Sequence, residues 1–284
     1  MRRHAIVGVF CFFLLCVAAQ PAAAEVWNKA WNVTGTVQLS ISADDGDIRV
    51  DTGDSKEVQA RVETVGWHIR DDQVRIIASQ EGNHINLQLK LPSQRFSISF
   101  RRSISVELTI PRSAELDLMT GDGNISTGPI DGSLRADTGD GNINVGAANG
   151  DIRLHTGDGN ITGDELAGAL SADTGDGNIR LEGRFQVADV RTGDGNVEVT
   201  ARSGSRVASA WKLNTGDGNV VLRLPDGVAA DLDAHTGDGS VILDFPVTIS
   251  GRSEESRIRG TMNGGGPLLV LSSGDGNIRI SKLQ

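Results

Sequence analysis

Apolar and polar residues alternate in short runs between positions 116 and 200, and each run begins just after a glycine. The segments G-N-I-N-V at 141, G-D-I-R-L at 150, G-A-L-S-A at 168 and G-N-I-R-L at 177 share one order: polar, apolar, polar, apolar. A period of two is the mark of a half-buried strand, whose side chains point alternately into and out of a core. The inward set so predicted includes Ile125, Leu134, Ile143, Ile152, Leu154, Ile161, Leu170, Ile179, Val190 and Val197. The opening glycines (Gly123, Gly132, Gly141, Gly150, Gly159, Gly168, Gly177 and Gly195) recur every nine residues, with Gln186 the one interruption.

Every second turn is the same. T-G-D-G starts at Thr120, Thr138, Thr156, Thr174 and Thr192, returns at Thr215 and Thr236, and closes as S-G-D-G-N at Ser273. The turns between vary: S-T-G-P-I-D at 126, V-G-A-A-N at 145, T-G-D-E-L-A at 162, L-E-G-R-F-Q at 181. A strand of five residues and a turn of four repeat too quickly for a propeller blade, which needs about 40 residues. A hairpin meander gives alternate turns no reason to match. A solenoid does, because every second turn stacks on its copy. The predicted fold class is all-β: a parallel β-solenoid of the β-helix or β-roll kind, with about 18 residues and two strands per coil. At a strand spacing of about 4.8 Å, roughly a dozen coils would form a rod of about 60 Å.

Outside this region the strands lengthen and the glycine count is lost, as in QVRIIASQ (73–80), HINLQLKLP (84–92), FSISF (96–100) and SISVELTIP (103–111). An early relative of the turn, A-D-D-G-D-I-R-V at 43–50, places the N-terminal part in the same coil. The organisation expected is a leader at 1–24, an N-terminal β region at 25–113 continuous with the solenoid, and the repeats at 114–284.

The leader reading rests on Arg2, Arg3 and His4, an apolar run from Ala5 to Ala19, and Ala22-Ala23-Ala24 before Glu25. That is the order of a secretory signal peptide cut after Ala24, and it predicts a periplasmic or secreted protein. Cys11 and Cys16 both lie inside it, so the exported chain has no disulfide and no thiolate ligand. No later apolar run is long enough for a membrane span. Loss of Arg2 and Arg3 leaves 25 basic against 37 acidic residues, a net charge near −12. That balance argues against nucleic acid and anionic membrane surfaces as partners. Thirty-six glycines and no tyrosine suit a chain that turns constantly more than a dense enzyme core.

The order of these features resembles a known family. A leader, a G-x-I-x-V start, long strands ending in S-V-E-L-T-I-P-R-S-A-E-L-D-L, tandem T-G-D-G-N-I turns, N-G-G-G-P at 263–267 and a final S-S-G-D-G-N-I-R-I are similar to the bacterial putative-adhesin family of β-strand repeats, a catalogued domain of unknown function. The likeness covers about 36 to 283. It implies an exported, adhesin-like β-solenoid with a cell-envelope role, and it carries over no catalytic or binding residues.

The candidate chemistry is a row of aspartates, one per uniform turn: Asp122, Asp140, Asp158, Asp176, Asp194, Asp217, Asp238 and Asp275. Stacked carboxylates repel, so something must offset them. In the structural reading each accepts hydrogen bonds from its own turn, with the flanking glycines at positive φ. In the metal reading Ca²⁺ sits between successive turns, although the calcium β-roll motif orders its acid and glycines differently. Asn124, Asn142, Asn160, Asn178, Asn196, Asn219 and Asn277 form a second row suited to an amide ladder. The threonines of the turn fall on the inward phase. His68, His84, His155 and His235 make no metal set, and no Ser-His-Asp constellation or mixed outward cluster of acids and bases is evident. Arg135 and Arg153 are expected on one face and Arg180 on the other. Arg95, Arg101, Arg102 and Arg112 form a basic island, and Trp27 and Trp31 are placed to cap the open end.

The function expected is an exported, non-enzymatic, adhesin-like binding or scaffold protein of the envelope, with a protein or glycan ligand at the cell surface. The alternatives are a calcium-stabilised β-roll-like module and a carbohydrate-active β-helix enzyme.

Overall fold

The computed structural model describes residues 24–92, 102–249 and 254–283, and among them every regular element is a strand. The leader up to residue 23, FSISF, Arg95 and Arg101 lie outside the described residues. The alternation read from the sequence is what the chain obeys: each member of the inward set from Ile125 to Val197 is buried in one continuous core.

Strands stack in two layers that share this core. In one, Leu116, Leu134, Ile152 and Leu170 follow one another across parallel partners. In the other, Ile48, Ile125, Ile143, Ile161, Ile179 and Val197 do the same. Successive copies are 18 residues apart in the chain through this stretch. The strands Ile161–Thr174 and Ile179–Thr192 run from one layer into the other through the variable corner. The strand Val37–Ala43 pairs in parallel with Ala114–Thr120, so the N-terminal region and the repeats share one sheet.

The sheet is mixed, not parallel throughout, and this corrects the simple solenoid expectation. Antiparallel strands close both ends. Ala24–Asn32 pairs with Glu57–Val65, which pairs with Ser103–Pro111, while Arg75–Glu81 pairs with His84–Lys90. At the far end Arg257–Met262 lies antiparallel to Ala230–Thr236 and to Thr248–Ile249. Repeat cores need their ends covered, and these strands cover them. Trp31 is buried at the first end with Trp27 tilted against it, 6.3 Å between ring centres, as the capping expectation has it.

Coil order also departs from chain order at both ends. The coil 37–53 lies between 84–111 and 114–127. The last coil, 268–282, lies between 211–224 and 230–244. The interruption at Gln186 is a β-bulge: Gly168 faces Phe185 and Ala169 faces Val187, which leaves Gln186 unpaired. Its carbonyl accepts the indole N–H of Trp211 at 3.1 Å, and Phe185 and Trp211 pack edge to face, both fully buried.

Candidate functional site: the repeated turn

Four of the five residues of T-G-D-G-N have structural tasks. The threonine is buried and its hydroxyl donates to a glycine carbonyl of the preceding coil. Thr138 donates to Gly123 O at 2.7 Å, Thr156 to Gly141 O at 2.7 Å and Thr174 to Gly159 O at 2.8 Å. Ser273 does the same to Gly218 O. The hydroxyl also accepts from its own turn, as from Gly159 N to Thr156 at 3.2 Å.

The glycines are needed for close approach, which corrects the positive-φ expectation. None of the T-G-D-G glycines is among the residues with positive φ. A Cβ on Gly159 would stand 2.0 Å from Gly141 O, and one on Gly141 would stand 2.0 Å from Gly123 O. Positive φ belongs instead to the opposite corner, where Gly168 sits at 120°.

The asparagines form a continuous ladder. The side-chain carbonyl of Asn124 accepts from Asn142 N and Nδ2, Asn142 accepts from Asn160, Asn160 from Asn178, and Asn178 from Asn196, all within 2.9–3.2 Å. Asn219 and Asn277 extend it, and Ser240 ends it. All rungs point one way, so their dipoles reinforce one another. The other end is a carboxylate: Asp47 Oδ1 accepts Asn124 N at 2.8 Å and Nδ2 at 2.9 Å. Sequence reasoning missed Asp47, although aligning A-D-D-G-D on T-G-D-G-N would have set it beneath Asn124.

The aspartates have no structural task. They stack in the order Asp122, Asp140, Asp158, Asp176, Asp194, Asp217, Asp275 and Asp238, following the glycine contacts, and every one is exposed. Asp45 precedes Asp122 in the same position. Among the described residues none of the eight carboxylates has a hydrogen bond or an ion pair, so the expected bonds to their own turns are not formed. Nor do three His, Cys, Asp or Glu side chains converge in a group that could hold a metal ion, among the described residues.

The remaining candidates scatter. His155 Nδ1 lies 3.1 Å from Asp173 on the next coil, while His235 stands near the far end of the stack, in register with Ser272 of the coil beside it. His68 contacts Glu25. Arg102 lies over the Trp67 ring at 4.2 Å, and Arg112 follows the opposite end of Ser103–Pro111, so these two members of the basic island are a strand length apart. Arg135 and Arg153 are direct cross-strand neighbours on one face, and Arg180 is on the other beside Glu198. The expectation that no outward cluster mixes acids and bases is overturned: Glu115, Asp117, Arg135, Asp151 and Arg153 line one groove from three adjacent coils. Stacking brings together residues that the repeat length keeps apart in sequence.

Among the described residues no helix is long and apolar enough to cross a membrane. No curated protein matches the chain. Solved structures similar in fold include a "putative lipid binding protein" from Parabacteroides distasonis, 11% identical with a TM-score of 0.47 over 92% of this chain and 97% of that one. A "putative adhesin" from Bacteroides fragilis is 12% identical with a TM-score of 0.39, covering 93% and 100%. A "putative cell adhesion protein" from Clostridium sporogenes is 13% identical with a TM-score of 0.31, covering 92% and 100%. At these scores the likenesses carry no functional argument. The family model matches residues 36–281, and the chain belongs to the Toastrack DUF4097 family.

Proposed function

We propose that the chain is an exported, non-enzymatic, adhesin-like binding or scaffold protein of the bacterial envelope, and that its uniform edge faces the partner. The unit stacked to make that edge is, in our reading, a parallel β-solenoid coil of about 18 residues. The observation that carries the proposal is the division of labour within the turn. Threonine, glycine and asparagine hold coil to coil, and the aspartate alone is exposed with no bond of its own. A side chain repeated at every uniform corner, yet unused by the fold, is available to an external partner at a fixed spacing of about 4.8 Å. The test is retention of the purified chain on isolated bacterial envelopes. Retention that disappears in the D140N/D158N/D176N variant supports the edge; retention unchanged in that variant removes it.

Calcium held between successive turns is a second reading, favoured by the same row of unbonded carboxylates at single-coil spacing. A ligand that binds only the folded chain raises its melting temperature. Melting with millimolar Ca²⁺ and with a chelator therefore separates the readings, since a partner-binding edge needs no shift.

A further inference from the structure

The groove of about 520 Å³ that overturns the sequence expectation lies on the outward face of the first layer, whose strands lead into the uniform turns. Two rows of side chains cross it, one strand spacing apart at each step. One row passes from His84 through Gln38 and Glu115 towards Asp151. The other passes from Asn86 through Ser40 and Asp117 to Arg135 and Arg153.

Arg135 and Arg153 stand directly opposite each other in register. Like charges so placed are unfavourable unless each is separately held. Neither is held closely. Arg135 has only Asp137 at 3.5 Å and Asp117 at 3.7 Å, and Arg153 has Asp151 at 3.8 Å. Neither guanidinium makes a hydrogen bond among the described residues. The same two-residue spacing closes fully elsewhere: Arg49 reaches Asp51 at 2.9 Å and Arg191 reaches Asp189 at 2.8 Å. Two parallel guanidinium forks with unfilled donors fit one planar anion between them.

The rest of the groove accepts hydroxyl groups. Glu115, Asp117 and Asp151 present carboxyl oxygens as acceptors, Glu115 already taking one bond from Gln38 Nε2 at 3.0 Å, while Ser40 and Asn86 make no side-chain hydrogen bond among the described residues. No tryptophan, tyrosine or phenylalanine lines the groove and His84 supplies its one ring, so binding rests mainly on charge and hydrogen bonds.

We infer that this groove binds an acidic saccharide, its carboxylate seated across Arg135 and Arg153 and its ring hydroxyls donating to Glu115, Asp117 and Asp151. The inference adds a second site to the proposed edge and rests on reading the chain as a binding protein.

The experiment is calorimetric titration of the exported chain with tri-galacturonate, tri-glucuronate and a sialyl oligosaccharide, and with neutral tri-galactose. At least one acidic saccharide binds, tri-galactose does not, and the affinity falls at least tenfold in R135Q/R153Q and weakens with added salt. R180Q, the same change on the other face, leaves it unaltered. Failure of all three acidic saccharides at millimolar concentration, or equal affinity in R135Q/R153Q, overturns the groove. Envelope retention is measured in parallel. Retention that persists without saccharide binding overturns the groove alone, whereas absence of retention in the unmodified chain overturns the broader reading.

Discussion

The side-chain carbonyl of Asn142 accepts two hydrogen bonds from Asn160, one from the backbone amide at 2.9 Å and one from Nδ2 at 3.1 Å. Asn160 is thus both a donor to one coil and, through its own Oδ1, an acceptor from Asn178 of the next. Asn160→Ala removes a side-chain donor and leaves two donors of Asn178 without this partner. The expected loss, read by urea unfolding, is about 0.5–1.5 kcal/mol, since these bonds are exposed and water can replace them.

Threonine in the turn is not replaceable by its apolar isostere. Thr156→Val keeps the buried volume but removes the donor to Gly141 O and the acceptor for Gly159 N. Both groups are buried, and a destabilisation of about 1–3 kcal/mol is expected by the same measurement. A change below a few tenths would show that water satisfies them instead.

Alanine at the second glycine is the most damaging small substitution. Gly159→Ala puts a methyl group 2.0 Å from a backbone oxygen, which cannot be relieved by a rotamer change. At least about 3 kcal/mol is expected, beyond ordinary overpacking. Gly53→Ala, whose added carbon meets only Thr109 Cγ2 at 3.5 Å, is the control and should stay within about 0.5 kcal/mol.

Acid should loosen the N-terminal cap. The hydrogen bond with His68, and next that from the Ile69 amide, hold the Glu25 carboxyl below its ordinary 4.5. A depressed carboxyl contributes stability above its unfolded value and loses it as pH falls through the folded one. Below about pH 4.5, then, the strand Ala24–Asn32 loses a tether, and Glu25→Gln should flatten that limb of a tryptophan-fluorescence titration. An unchanged acid limb in the variant would show that Glu25 does not hold the strand.

Much of this was legible in the sequence, because alternation and a glycine every nine residues report local geometry directly. The buried set from Ile125 to Val197 and the inward threonines follow from phase alone. The order of coils at the ends does not. The pattern of 37–53 fits any parallel neighbour, and only the tertiary arrangement selects both 84–111 and 114–127. The reason for the turn glycines was hidden for a similar cause: a contact with the coil below is not a property of the turn itself. The groove was hidden most completely, since Gln38, His84, Glu115 and Arg153 meet only through stacking.

The central claim is that the aspartate row is not part of what holds the coils together. Melting of the D140N/D158N/D176N variant at low ionic strength tests it most directly. Carboxylates that make no bonds and repel their neighbours should be dispensable, so the predicted melting temperature equals or exceeds that of the unmodified chain. A clear decrease would contradict the claim and return the aspartates to the structure of the turn.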